Sequence, residues 1–367
     1  SDNCFSLLIC LMAVGMMLSL TACGVSGDQV AVNKPQQKDP DAKKRIAVSM
    51  PTKDLQRWAQ DGSNMKAQLE KQGYDVDIQY ANNDIATQVS QIENMIAVNP
   101  DVLVVASIDG SALGTALQGA KGLGIPVISY DRLIMQSDAV SYYATFDNEL
   151  VGELQGQYIE DKLDLKNAKG PFNIELFTGS SDDNNCNYFF GGAMKILQPY
   201  IDSGKLVVRS GSTTLAECAT ANWSTEEAQK RMENILAAYY QDGTKLDAVL
   251  SSNDSVANGI TNALVASYKG DFPILTGQDC DITSVKNIIA GKQSMSIFKD
   301  TRQLASKVVE MVTAIIEGKE VPVNDTESYD NGKGIVPTYL CQPVFADQDN
   351  YKEVLIDSGY YKESDVK

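Results

Sequence analysis

The segment SYDRL, Ser129 to Leu133, sets an acid beside a base directly after the apolar run GIPVIS. Asp131 and Arg132 are there either as a solvated turn or as two fixed hydrogen-bonding groups at a strand end. Other strand-like runs end the same way. Arg57 and Trp58 follow 46–50, Asn184 and Asn185 follow 172–178, Asn253 follows 246–252, Asp279 follows 273–277, and Lys299 follows 294–298. Trp223 lies in the loop before the helix-like STEEAQ. Asp, Asn, Arg and Lys together present donors and acceptors on several sides, which suits a molecule covered with hydroxyls, because each hydroxyl both donates and accepts. The two tryptophans of the chain fall one in each half. An indole can cover the apolar C–H face of a pyranose, so the pair predicts a sandwich; core packing is the alternative for either ring alone.

Composition removes competing chemistries. Histidine is absent, which takes away the commonest general base, the Ser-His-Asp and Cys-His arrangements and the His-containing zinc sites. Neither GxGxxG nor a Walker lysine follows any strand, and Asp182, Asp183 and Asp281 lack the spacing of a calcium loop. No cofactor, no metal and no catalysis are expected. With a formal charge of −17 and no run of Lys and Arg, the chain lacks the footprint that holds nucleic acid phosphates.

The elements that must carry these residues alternate. From Arg45 onward, short β-rich runs (46–50, 74–80, 101–107, 125–130) alternate with amphipathic stretches long enough for helices. After YYATFDN the rhythm restarts, with strands expected at 172–178, in KLVVRSG, at 246–252 and at 273–277, and IVPTYLCQPV as a last strand. Repeated βα units predict an α/β fold of two Rossmann-like domains with parallel sheets covered on both faces. In such sheets the ligand crevice lies beyond the carboxyl ends of the strands, where the polar residues above collect.

The N-terminus reads as an address. Phe5 to Leu20 is 16 uncharged residues, shorter than the roughly 20 of a membrane-spanning helix and suited to the core of a signal peptide. No basic residues precede Phe5, so the natural start is expected further upstream. LTAC follows and resembles the lipobox of bacterial lipoproteins, which makes residues 1–22 a signal peptide, Cys23 the lipidated residue and 23–44 a tether to the membrane. Of seven cysteines, four lie in the mature body, none in a CxxC pair. Outside the cytoplasm disulfides are an alternative to free thiols, and a bridge between Cys186 and Cys218 would brace two site loops.

The segments SMPTKDLQRW, SQIENMI, SYDRLI, YYATFDNELVGELQG, DDNN, GQD, IFKD and DSGYYKE resemble the ChvE-type multiple-monosaccharide-binding proteins of bacterial ABC importers and, next, the xylose-binding proteins. SND at 252–254 looks like the xylose-binding version. The resemblance implies a type I periplasmic-binding-protein fold with a three-crossing hinge. It divides the chain into an N-terminal domain, 45–147 plus 299–337, and a C-terminal domain, 148–298 plus 338–367. It also implies that Arg57, Trp58, Asp131, Arg132 and Lys299, from the N-terminal domain or the hinge, and Asn184, Asn185, Trp223, Asn253 and Asp279, from the C-terminal domain, trap an aldopyranose such as xylose, glucose, galactose or arabinose. The partners it implies are that monosaccharide and a membrane ABC permease, with the receptor a monomer held outside the cytoplasm by lipidated Cys23. An alternative is a receptor for a sugar-like signal, presented to a chemoreceptor. A LacI-type regulator shares the fold but requires a helix-turn-helix where this chain has LTAC.

Overall fold

β-branched and aliphatic runs punctuated by polar turns build most of the expected strands. The computed structural model describes residues 38–367. The leader, Cys23 and the tether as far as residue 37 lie outside the described residues. The first series of elements is β1 (Arg45–Met50), α1 (Gln56–Lys71), β2 (Asp75–Tyr80), α2 (Ile85–Ala97), β3 (Val102–Val105), α3 (Gly114–Leu123), β4 (Val127–Tyr130) and β5 (Tyr142–Phe146). The second is α4 (Asn148–Lys162), β6 (Phe172–Phe177), α5 (Asn185–Asp202), β7 (Leu206–Val207), α6 (Thr225–Tyr239), β8 (Ala248–Ser251), α7 (Asp254–Ser267), β9 (Ile274–Leu275), α8 (Ile282–Ile289) and β10 (Met295–Phe298). The chain closes with α9 (Thr301–Glu317), β11 (Thr338–Cys341) and β12 (Val344–Asp347).

One sheet has the order β11-β5-β4-β3-β1-β2 and is parallel throughout. Because side chains alternate along a strand, β1 sends Ile46, Val48 and Met50 against α1 and α9, and Ala47 against α2 and α3. The other sheet, β7-β6-β8-β9, is also parallel. Ile174 and Leu176 of β6 pack with α4 and α5, whereas Phe177 packs with α6 and α7. An antiparallel pair, β10-β12, adjoins this second sheet through a parallel bridge between Gln278 and Ile297.

The chain passes between the sheets after Phe146, after Phe298 and after Cys341. At the first two passages an aspartate caps the next helix: Asp147 accepts from the Leu150 N–H and Asp300 from the Arg302 N–H, each at 3.0 Å. The last passage corrects the expected division at 337/338. Thr338–Cys341 pairs with Tyr143–Phe146 in the first sheet, so the run IVPTYLCQPV is two strands that belong to different sheets. KLVVRSG forms only the two-residue strand β7, against six residues in β6.

Helices α4 and α5 approach through glycines. A Cβ on Gly192 would lie 2.0 Å from the Glu149 carbonyl oxygen, whereas one on Gly191 would meet nothing within 4 Å. Gly192→Ala should therefore destabilise by about 1–3 kcal/mol, and Gly191→Ala should stabilise by about 0.5–1 kcal/mol by removing backbone freedom from the unfolded chain. Urea unfolding of the two variants checks this; equal effects would contradict the close helix approach.

Candidate functional site

The turn after β4 is built rather than merely solvated. Asp131 has φ +65°, a left-handed conformation that Asp tolerates better than most residues. Its N–H donates to the Ala144 carbonyl at 2.8 Å, and its carbonyl accepts from the Tyr143 hydroxyl at 2.6 Å and the Thr145 hydroxyl at 3.1 Å. Ser129 closes the turn from inside, donating through Oγ to the Arg132 carbonyl and accepting from the Ile134 N–H. Five hydrogen bonds thus fix the turn from which the Asp131 carboxylate projects.

That carboxylate meets Arg57, on the first turn of α1. Arg57 Nη1 is 3.2 Å from Asp131 Oδ2, and Nη2 is 2.9 Å from Asp61 Oδ2. Asp61 is fully buried, one helical turn beyond Arg57, and also accepts from the Tyr130 hydroxyl at 2.8 Å. Burial works against the Arg57 charge, but Asp131 and Asp61 outweigh it and hold the guanidinium more firmly protonated than usual. Burial also raises the Asp61 pKa, with Arg57 opposing, and pushes the Tyr130 phenol well above its ordinary value. Arg57 and Asp131 keep 34% and 20% of their side chains exposed, so both can reach a ligand.

Trp58 departs from the expected sugar sandwich. It is 2% exposed, in the core under the first sheet, and the Arg57 guanidinium lies 3.9 Å from its ring centroid, with that of Arg132 at 5.2 Å. The indole face is occupied by cations, an arrangement worth about 0.5–2 kcal/mol per contact. Trp58 is a platform for the arginines. Arg132 is tethered further by a 3.0 Å bond from Nη1 to the Ser107 carbonyl.

In the second lobe, Trp223 does stand partly exposed. Its Nε1 donates to Asp183 Oδ2 at 3.1 Å, its edge meets Phe189, and its ring lies flat on Gly179, where a Cβ would come within 2.1 Å. Asn185 opens α5 and sits 3.5 Å from the Asn148 amide, across the first passage between sheets. Asn184 is exposed, and its Oδ1 accepts from the Asn187 amide at 3.1 Å. Asn253 caps α7, with Oδ1 accepting from the Val256 N–H at 2.9 Å, so Nδ2 is the atom it can offer a ligand. Asp279, at φ +102°, lies 3.7 Å from Lys299, which in turn stands 5.7 Å from the Phe189 ring.

The structure therefore groups Arg57, Asp131, Arg132 and, beneath them, Trp58 at the carboxyl ends of β1 and β4. It groups Asp279 with Lys299, and Trp223 with the loop before Asn185. Asp61, Tyr130 and Phe189 carry no mark as site residues in the sequence, and Asp183 enters there only as a carboxylate without the spacing of a calcium loop. An Asp four residues after Arg57 on a helix was the one signal for Asp61, through i,i+4 pairing. Among the described residues no group of His, Cys, Asp and Glu could hold a metal ion.

Two parallel α/β sheets with three passages between them and polar groups at the strand ends define a type I periplasmic binding protein. A family model described as a periplasmic binding protein domain matches residues 46–320, and the chain belongs to that family. It is 50% identical over 355 residues to the multiple sugar-binding periplasmic receptor ChvE of Rhizobium radiobacter, covering 96% of this chain and 99% of that one. It is 49% identical over 360 residues to the multiple sugar-binding periplasmic protein SbpA of Azospirillum brasilense, covering 97% of each. The crystal structure of an ABC transporter solute binding protein from Clostridium phytofermentans with bound β-D-glucose is 68% identical, with a TM-score of 0.79, covering 88% of this chain and all of that one.

The expected bridge between Cys186 and Cys218 is absent: both thiols are free and buried, one directed at the Ser180 carbonyl and the other at Ser212. Burial raises Cys186 to about 12 and Cys218 to about 11. Folded thiols thus hold protons more tightly than unfolded ones at 9.0, and the stability this contributes is lost as pH rises from about 9 towards 12. Iodoacetamide at pH 8 should leave both cysteines unmodified in the native protein and alkylate both in denaturant. Peptide mapping that finds rapid native labelling, or a disulfide, would contradict this.

Proposed function

We propose that the chain is the extracytoplasmic receptor of an ABC sugar importer, and that it closes its two lobes on an aldopyranose. The observation that carries the reading is the pair of partly exposed charge pairs, Arg57–Asp131 and Asp279–Lys299, one beside each sheet's strand ends. Held carboxylates accept from sugar hydroxyls and held cations donate to them, so a polyol meets both of its needs without any side chain reorienting within its own lobe. Arg132, Asn185 and Asn253 supply further donors, and Trp223 a partly exposed ring. The likeness to a glucose-bound protein at 68% identity supports D-glucose as the first sugar to test.

Ligand that binds the closed arrangement better than the open one shifts the lobes together. The closed form is the species offered to the membrane permease. Lipid attached at Cys23 would keep the receptor beside that permease, and the protein acts as a monomer. It has no reaction to perform on its sugar; its relatives are solute-binding proteins.

Titration calorimetry with D-glucose tests the site. A charge-assisted hydrogen bond is worth roughly 1.5–3 kcal/mol, so Asp131→Ala and Asp279→Ala should each weaken binding at least about tenfold. Circular dichroism should remain unchanged in both. Wild-type affinity in the Asp131 variant would return the turn to mere solvation, and wild-type affinity in both would dismantle the site.

A further inference from the structure

Asp254 is fully buried directly behind the second half of the site. Its Oδ1 accepts from Gln293 Nε2 at 3.0 Å, its Oδ2 from the Asp281 N–H at 2.9 Å, and the Ser296 hydroxyl lies 2.9 Å from both oxygens. Gly277 brings the backbone so close that a Cβ there would stand 2.1 Å from Asp254 Oδ1. One carboxylate therefore ties together the start of α7, the loop 277–281 and strand β10.

The loop it ties is the one that carries Asp279. Three successive N–H groups are satisfied from outside the loop: Asp279 donates to the Ile297 carbonyl at 2.8 Å, Cys280 to Ser296 Oγ at 3.0 Å, and Asp281 to Asp254. The Asp254 N–H returns the contact, donating to the Gln278 carbonyl at 3.0 Å. Within that clamp Asp279 takes φ +102° and Cys280 φ +51°, backbone that side-chain-bearing residues adopt only when their surroundings over-determine it. Lys299 leaves the same strand three residues after Ser296.

We propose that Asp254 is the positioning residue for Asp279: it holds the strained loop that aims the Asp279 carboxylate, and it acts on the sugar only through that residue. The assignment rests on the reading of Asp279 as a sugar ligand. Without the buried carboxyl group, the Asp281 N–H loses its acceptor, the Gln293 amide keeps only the Met295 carbonyl, and the loop can relax out of positive φ. The Asp279 carboxylate would then spread over many directions, and binding would have to restore the order.

A double-mutant cycle read by D-glucose calorimetry tests this, with urea unfolding of each variant alongside. Asp254→Ala should weaken binding at least about fivefold in the otherwise wild-type chain, and by less than about twofold when Asp279 is already alanine. A purely structural role would lower urea stability and leave the two losses in affinity additive. If Asp254→Ala does not fold, Ser296→Ala, which removes the acceptor of the Cys280 N–H, takes its place in the same cycle with at least about a threefold loss expected. Wild-type affinity in the folded variant, or full additivity with Asp279→Ala, would overturn the assignment. Wild-type affinity in Asp279→Ala alone would instead bring down the reading of Asp279 as a ligand, and the assignment with it.

Discussion

A carboxylate withdrawn from water needs a cation or hydrogen-bond donors against it, and the pairing of buried Asp61 with partly exposed Arg57 sets the terms for the first lobe. Leaving Asp61 without its partner would strand a buried charge, a loss of about 3–5 kcal/mol in comparable pairs. Arg57 is therefore fixed on the first turn of α1, over Trp58, with its second nitrogen turned to Asp131. The positive-φ turn at Asp131, braced by Tyr143 and Thr145, delivers the other partner to the same place. Backbone strain on one side and a buried ion pair on the other converge on a carboxylate whose direction is settled before any ligand arrives.

The second lobe solves the same problem with neutral donors. Asp254 is buried without a cation, among the Ser296 hydroxyl, the Gln293 amide and a backbone N–H, and the loop it organises presents Asp279 to Lys299. Both lobes thus place a buried carboxylate behind an exposed one. The partly exposed polar groups are the outer layer of a two-layer network, which on the proposed reading would limit the ordering cost of ligand binding.

The alternation of β-rich runs and amphipathic stretches made the two sheets legible, because strands buried on both faces read as nearly continuous apolar segments. The last strand misled for the same reason: IVPTYLCQPV is apolar enough to be one strand, and only its pairing reveals that Cys341 and Val344 sit in different sheets. The polar residues proposed to meet a sugar stand out in the sequence because they follow strands. Trp58 was misjudged because residue type does not tell whether an indole face is covered by a sugar or by two guanidiniums. Asp61 carries no mark as a site residue in the sequence, and Asp254 shows there only as a polar residue after a strand, because a buried carboxyl looks like any helical Asp until its donors, distant in sequence, are brought to it. Cys186 and Cys218 are near the site in sequence, yet each thiol is aimed at its own carbonyl.

On the proposed reading, preformed polar groups in two layers receive a pyranose between the lobes. A crystal structure with β-D-glucose tests it most directly. Sugar hydroxyls should lie within hydrogen-bonding distance of Asp131 on one side and of Asn253 and Asp279 on the other, with the Arg57–Asp61 pair unmoved. Glucose bound elsewhere, or a ring that assembles only by breaking that pair, would contradict it.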